Sequence, residues 1–316
     1  MSCPDTRNGS IVSVNLSERQ GTSKQPAPEI VIGEHGVQND AHAGDWHRQV
    51  SLLAAESIER FSGEAGQSFL PGEFAENITT RDIDLLQSAI LDRITIGPSV
   101  ELEVTQLGKK CHGASCAIFQ QVGRCVMPKE GIFTRVIRGG VVKPGDAIAR
   151  VPRTLRCRIV TLSDRASQGV YEDRSGPRIR ELLEAFAQEK HWQLDAVSTL
   201  MPDDVQQLQN ELTAARDAGA HAIFTTGGTG IGPRDIAPEV VTALADKIIP
   251  GLMEYIRVKY GADKPNALLS RSVAVVSGKT LIYTLPGSLK AVDEYMAEIL
   301  KTLEHAIFML HGLDTH

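Results

Sequence analysis

Thr225-Thr226-Gly227-Gly228-Thr229-Gly230-Ile231-Gly232-Pro233-Arg234-Asp235-Ile236-Ala237-Pro238-Glu239 is the stretch that decides the fold of this chain. An apolar run, His221 to Phe224, leads into it and predicts a short buried strand. Beyond it, Pro238 stands where a helix can begin, and Val240, Val241, Leu244 and Ala245 give that helix an apolar face. The stretch is therefore a strand-to-helix turn in which four of the six residues from Gly227 to Gly232 are glycine. Glycine admits positive φ and lets a ligand approach main-chain N–H groups, and such groups at a helix N-terminus attract phosphate. No Gly-Lys-Ser/Thr follows, so this is not a P-loop, and Pro233 stands where the dinucleotide fingerprint has its third glycine. A tight loop alone explains the glycines. Arg234-Asp235 adds a cation for phosphate oxygens and a carboxylate able to hold a metal.

Working outward, 316 residues favour two domains, each with a sizeable core. Hydrophobic residues make up 42% and charged residues 23%, the balance of a soluble protein, and no apolar run spans a bilayer. A net charge of −6 argues against nucleic acid or an anionic membrane as a partner. The polar start, Met1 to Ser10, predicts no secretory signal, and five cysteines without one predict reduced thiols in a cytoplasm.

The first half, residues 1–152, reads as mostly β. Ile11 to Leu16 and Glu101 to Thr105 alternate apolar and polar residues. Ile132 to Ile137 and Val141-Val142 flank Gly139-Gly140 as a hairpin, and Pro144-Gly145-Asp146 turns into a last strand. Ser51 to Phe61 predicts one helix, and the polar segment Glu18 to Pro28 a mobile loop. Short strands joined by glycine turns suggest a small barrel or folded sheet.

This half resembles the MOSC domain, found at the end of molybdenum-cofactor sulfurases and in stand-alone proteins. The residues that carry the resemblance are Gly36 to Gly44, Arg48 to Leu53, Pro71 to Thr79 and Gly131 to Asp146. Arg81-Asp82-Ile83-Asp84 departs from the family's usual turn. Cys111, His112, Cys116 and Cys125 are its candidate sulfur or metal residues, because a thiolate is a soft ligand for molybdenum or zinc and can carry a sulfane sulfur. Their spacings match no common structural zinc site. Simple burial accounts for Cys111 and Cys116 as well as a role does. Cys125, in Gly123-Arg124-Cys125, matches the family's sulfur-bearing or cofactor-contacting cysteine, and Arg124 would lower its thiol pKa if the charge points inward.

Val151 to Arg156, with Pro152 and two arginines, marks the boundary to a second domain, residues 153–316. Here strands at Cys157 to Leu162 and Leu194 to Leu200 alternate with helices at Pro177 to Lys190 and Val205 to Ala218. Ser272 to Val276 and Thr280 to Leu285 are the last strands, turned at Gly278-Lys279, before a helix from Ala291 to Leu310. Repeated β–α–β units predict a doubly wound, mostly parallel sheet, which binds ligands beyond the carboxyl ends of its strands. Ser163-Asp164-Arg165, Pro202-Asp203-Asp204, the glycine turn and Pro286-Gly287-Ser288 all arrive at that rim. Each alone is explained as a helix cap; four together equip a site for polyphosphate with a divalent metal.

Residues 156–316 resemble molybdopterin adenylyltransferases of the MogA/MoaB type. Ser163 to Asp173, Thr226 to Glu239, Leu268-Leu269-Ser270-Arg271 and Leu285 to Ser288 match the family's motifs in order. Ala237 departs from a usual threonine, and Leu289 from a usual proline. The resemblance implies ATP and molybdopterin as substrates, with Mg2+ held by Asp203 and Asp235 at the positions of the catalytic aspartates. It implies a phosphate cradle from Gly227, Gly228, Thr229 and Gly230 with Arg234. Ser163, Asp164, Arg165, Thr226, Ser270, Arg271, Pro286, Gly287 and Ser288 are further binding candidates. A homotrimer or a multiple of it, contact with other cofactor-assembly proteins, and use of molybdenum or tungsten follow from the same resemblance. Two other readings are a non-catalytic MoaB-like pterin-binding scaffold and a molybdate-inserting transferase.

Overall fold

Residues 8–110 and 124–313 are described by the computed structural model, and none of their helices is long and apolar enough to cross a membrane. The chain divides into two units, residues 1–153 and 154–314. In the first, alternating apolar and polar residues give β1 (Gly9–Leu16), β2 (Gln25–Ala27), β3 (Ile30–Gly33), β4 (Gly36–Val37), β5 (Val50–Ala54) and β6 (Ile78–Arg81). These are followed by β7 (Arg93–Ile96), β8 (Val100–Leu107), β9 (Ile132–Arg138), β10 (Gly140–Val142) and β11 (Ala147–Val151).

Seven strands run in the order β11-β7-β8-β9-β5-β6-β1, and β1 pairs back onto β11, closing a barrel. Only β5 with β6 is parallel within it. Closure leaves no unpaired edge in the ring. Leu52, Ile78, Ile94, Leu102 and Val104 belong to the core this creates. A second apolar cluster joins the helix Ala55–Ala65 to the barrel, through Phe61, Phe69 and Phe74 with ring centroids 5.2 to 5.5 Å apart.

Three expectations for this unit change. The segment from Ser51 is strand before it is helix, because all five residues of β5 are buried and pair on both sides with β6 and β9. Gly139-Gly140 makes no hairpin: β10 pairs with β3, Val141 opposite Val31. Neither glycine has the positive φ that a two-residue hairpin needs. Gly139 instead allows close approach, since a Cβ there would lie 2.2 Å from the Ile32 carbonyl oxygen. The segment Glu18 to Pro28 is anchored rather than loose. Its residues Gln25–Ala27 pair with β1, and Lys24 is buried in an ion pair with Asp40.

That pair lies in a polar knot. Asp40 accepts from the N–H groups of Ser17 at 2.9 Å and His42 at 3.0 Å, and Lys24 Nζ also reaches His42 Nδ1 at 3.2 Å. Burial pushes the Asp40 carboxyl up, but its contacts with His42, Lys24 and Ser17 outweigh burial and hold it well below the usual carboxylate range. Lys24 is displaced the other way, its pKa lowered, because burial penalises the ammonium more than Asp40 returns.

In the second unit, β12 (Thr154–Leu162), β13 (Gln193–Met201), β14 (Ala222–Thr226), β15 (Lys247–Ile248), β16 (Ala274–Ser277) and β17 (Thr280–Leu285) form one sheet in the order β13-β12-β14-β17-β16-β15. The expected parallel arrangement holds for β13, β12, β14 and β17. β16 runs antiparallel, because the turn at Gly278, with φ of 61°, joins neighbours without a crossover. Val160, Ile223 and Ile282 share a core with the helices Val205–Asp217 and Ala237–Ala243. Alternate strand residues point to the other face, where the helices Ser175–Glu189 and Leu289–Leu310 pack together.

Removing one partner of the Lys24–Asp40 pair leaves an unpaired buried charge, so Asp40→Asn should cost roughly 3–5 kcal/mol. Because the folded carboxyl is depressed, this contribution is present above the unfolded carboxylate range, about 3.9, and is lost as pH falls through and below it. Calorimetry should therefore show a wild-type advantage at pH 7 that shrinks towards pH 3. An advantage constant with pH would contradict the assignment.

Candidate functional site

The carboxyl ends of β12, β13, β14 and β17 bring their following loops together at one rim of the second unit. Gly227 leaves β14 with φ of 100°, and a Cβ on it would stand 2.2 Å from the Leu162 carbonyl oxygen. Its N–H bonds Leu285 O at 3.0 Å, and Thr226 Oγ1 bonds Pro286 O at 3.0 Å, so the turn is sewn to the end of β17. Gly287 in turn sits against Gly227, and its carbonyl accepts from Ser175 Oγ at 2.8 Å. The N–H of Gly227 is thus already engaged. The turn continues through Gly228, Thr229 and Gly230, the remaining residues of the expected cradle.

Two aspartates flank this cradle. A Cβ on Gly228 would lie 3.4 Å from Asp203 Oδ1, and one on Gly230 would lie 2.7 Å from Asp235 Oδ2. Asp235 is held by the N–H of Gly232 at 2.8 Å. Asp203 and Asp164 exchange main-chain bonds: Asp203 N–H donates to Asp164 Oδ1 at 3.1 Å, and Asp164 N–H to Asp203 Oδ2 at 3.4 Å. Arg234 pairs with Asp164 and remains largely exposed, its side chain 67% accessible. Burial raises the Asp203 carboxyl above its usual range, and the charges of Asp164 and Asp235 add to that effect.

Repelling carboxylates beside a glycine turn suit a cation that brings its own anion. Among the described residues, no group of three or more His, Cys, Asp or Glu could hold a metal ion by itself. Two carboxylates do fit Mg2+, which keeps waters and takes its remaining ligands from phosphate.

The other expected residues divide by what holds them. Arg271 is built into the loop: Nε donates to Gly230 O at 2.6 Å, Nη2 to Asp235 O at 2.8 Å, and the side chain pairs with Glu239. It shapes the cradle, and Glu239, which sequence reasoning passed over as a site residue, anchors it. Ser163 caps the turn Asp164–Ser167 and its Oγ lies 2.7 Å from the Tyr171 hydroxyl. Arg165 lies over the Tyr171 ring at 5.4 Å. Ser288 caps the helix Leu289–Leu310. Ser270 bonds Tyr295 and Ser272. A cavity of about 200 Å3 opens between Ser163, Tyr171, Asp173, Thr226 and Gly287. Asp173, also missed, accepts from Thr161 Oγ1 at 2.7 Å and from the N–H groups of Ser175 and Gly176.

The first unit holds a larger cavity, about 730 Å3, lined by Cys125 with Trp46, Arg48, Phe74, Lys109 and Phe133 among others. Cys125 is half-buried there. The Arg124 guanidinium pairs with Glu64 at 3.1 Å and lies over Phe61, because that acidic partner stands on the neighbouring helix. Among the described residues Arg48 and Lys109 are the Lys/Arg side chains lining this cavity, a pairing that residues 61 apart gave no sequence signal for. Cys111, His112 and Cys116 lie outside the described residues.

Comparison with known proteins bears on both units. Residues 39–149 match the MOSC domain family, and residues 158–305 match the family described as a probable molybdopterin binding domain. The molybdopterin adenylyltransferase of Escherichia coli K12 is 37% identical over 161 residues, 51% of this chain and 80% of that protein. Gephyrin of Dictyostelium discoideum is 35% identical over 160 residues, 49% of this chain, and the chain spans only 22% of its length. A solved structure titled for MogA aligns at 37% identity with a TM-score of 0.46, covering 49% of this chain and 99% of that one.

Gly227 offers a test of the rim that needs no substrate. Gly227→Ala meets both a positive φ and the Leu162 carbonyl, whereas Gly278→Ala meets a positive φ of 61° in open space. Backbone strain alone costs about 1–3 kcal/mol, so Gly227→Ala should lose clearly more stability than Gly278→Ala in thermal melts. Equal losses would show that the contact with Leu162 is not tight.

Proposed function

The chain carries a MOSC domain followed by a domain of the molybdopterin adenylyltransferase family, and from that membership we propose that it adenylylates molybdopterin with ATP in molybdenum cofactor biosynthesis. The observation that supports the reading is that Asp203 and Asp235 both lie against the glycine turn, at Gly228 and Gly230. In the proposed reaction the terminal phosphate oxygen of molybdopterin attacks the α-phosphorus of ATP, and the bond to the bridging oxygen breaks to release pyrophosphate. Little covalent work falls to the protein, so positioning and charge neutralisation do most of the catalysis. N–H groups of Gly228, Thr229 and Gly230 donate to phosphate oxygens, and the exposed Arg234 approaches the same anion. Arg271 keeps those donors aimed by holding Gly230 and Asp235 through their carbonyls. Asp203 and Asp235 would hold Mg2+, which when bound neutralises charge on the leaving pyrophosphate.

The first unit's part in this reading is to handle the cofactor, its metal (molybdenum or tungsten) or its sulfur at the cavity of Cys125. A trimer or a multiple of it is also proposed. Exposed apolar side chains of the second unit, Ile231, Tyr255, Val258, Leu268 and Leu269 among them, favour self-association. The proposed setting is the cytoplasm.

Asp235→Asn keeps an oxygen for the Gly232 N–H but removes the charge. Mg2+-dependent pyrophosphate release should fall by about 10²-fold or more, with the melting temperature little changed. Asp203→Asn should act alike, and the double variant should be far from additive. Near-normal turnover in Asp235→Asn would sink the assignment. Cys125→Ser should leave adenylyl transfer intact while the isolated protein loses bound metal or alkylation-sensitive sulfur. Unchanged metal and sulfur contents would remove Cys125 from the proposal.

A further inference from the structure

Two arginines serve the glycine turn of the second unit, and they are held in different ways. Arg271 is fixed. Its own N–H donates to Thr229 O at 2.9 Å, Nε to Gly230 O at 2.6 Å and Nη2 to Asp235 O at 2.8 Å, while Nη1 pairs with Glu239. A side chain bonded in that way cannot turn to a ligand without unmaking the turn. Arg234 instead reaches across to Asp164 with a side chain that is 67% accessible. An ion pair at such exposure contributes little to stability and is readily exchanged. Asp164 is the less exposed member, and its other oxygen accepts the Asp203 N–H at 3.1 Å. The charges of Asp164 and Asp235 act against that of Asp203, and the charge of Arg234 offsets them. An anion that draws Arg234 off Asp164 therefore leaves three carboxylates facing the incoming negative charge.

We propose that the Arg234–Asp164 ion pair is an exchangeable latch through which the site selects ATP carrying a divalent cation over ATP without one. On binding, a phosphate oxygen replaces Asp164 as the partner of Arg234. The cation in turn replaces Arg234 as the counter-charge beside Asp164 and Asp203, with no bond from Asp164 to the metal required. Each ligand thereby removes the obstacle met by the other, so the two bind synergistically. Metal-free ATP must break the pair and then face the aspartates without a counter-charge. A cation alone must share Asp164 with the guanidinium already there. The weakness of the pair suits it to this exchange, since an arginine held as firmly as Arg271 would be available to neither ligand. Asp164 is on this view a specificity and positioning residue that acts through Arg234 and Asp203. The latch rests on reading the rim of the second unit as an ATP site.

Equilibrium binding to the full chain, without turnover and at constant ionic strength, tests the exchange. The ligands are ATP with excess Mg2+, ATP with EDTA, and Mn2+ alone, the last read by electron paramagnetic resonance. Wild type should bind ATP more tightly with Mg2+ than without it. Asp164→Asn keeps an oxygen for the Asp203 N–H but releases Arg234. Metal-free ATP should bind this variant roughly fivefold more tightly than wild type, and the enhancement by Mg2+ should shrink by at least that factor. A variant that merely damaged the rim would bind ATP more weakly. Arg234→Gln should bind Mn2+ alone more tightly than wild type, and ATP in either form more weakly. Introduced into the Arg234→Gln background, Asp164→Asn should bring no gain for metal-free ATP. A gain of equal size there would trace to general charge and overturn the latch. So would metal-free ATP that binds Asp164→Asn no more tightly than wild type. Should Asp164→Asn melt early, the Mn2+ affinity of Arg234→Gln decides, and an affinity no higher than that of wild type overturns the latch. If wild type bound ATP in neither form, the adenylylation reading itself would fall, and the latch with it.

Discussion

Gly227 is pressed against the carbonyl oxygen of Leu162, and the candidate site of the second unit depends on that contact. β12 and β14 are parallel neighbours whose chains leave the sheet side by side, so a Cβ at this position would force them apart. With hydrogen in its place the backbone turns through φ of 100° and then 62°. Those angles direct the Gly227 N–H to Leu285 O and the Gly228 carbonyl to the Ala237 N–H, which starts the next helix. Two strand ends and a helix start are thereby fixed by two residues. Gly228 and Gly230, also without side chains, let the carboxylates of Asp203 and Asp235 close on the turn.

How much of this could be read from sequence follows from how local each cause is. The glycine turn was legible because only glycine fits it, and the helices of the second unit because their apolar faces repeat every three or four residues. The barrel was legible as many short strands, but its pairings were not. Gly139-Gly140 signals a hairpin only if the glycines take positive φ, and here their smallness serves a crossing with Ile32. Lys24 looked like part of a loose polar segment because its partner, Asp40, is 16 residues away. Arg271 looked like a substrate cation, and the acceptors that occupy it lie 32 to 41 residues earlier. Arg124 sits beside Cys125 in sequence and turns to Glu64 in space. Side-chain partners across long separations were the part that spacing could not supply.

The two units treat charge in opposite ways. The barrel unit ties the buried Lys24 and Asp40 together and surrounds Asp40 with N–H donors. The second unit brings Asp164, Asp203 and Asp235 near one another with Arg234 as a counter-charge, and burial raises Asp203 further. Such repulsion opposes folding, and a fold retains it where a cation or a polyphosphate completes the arrangement.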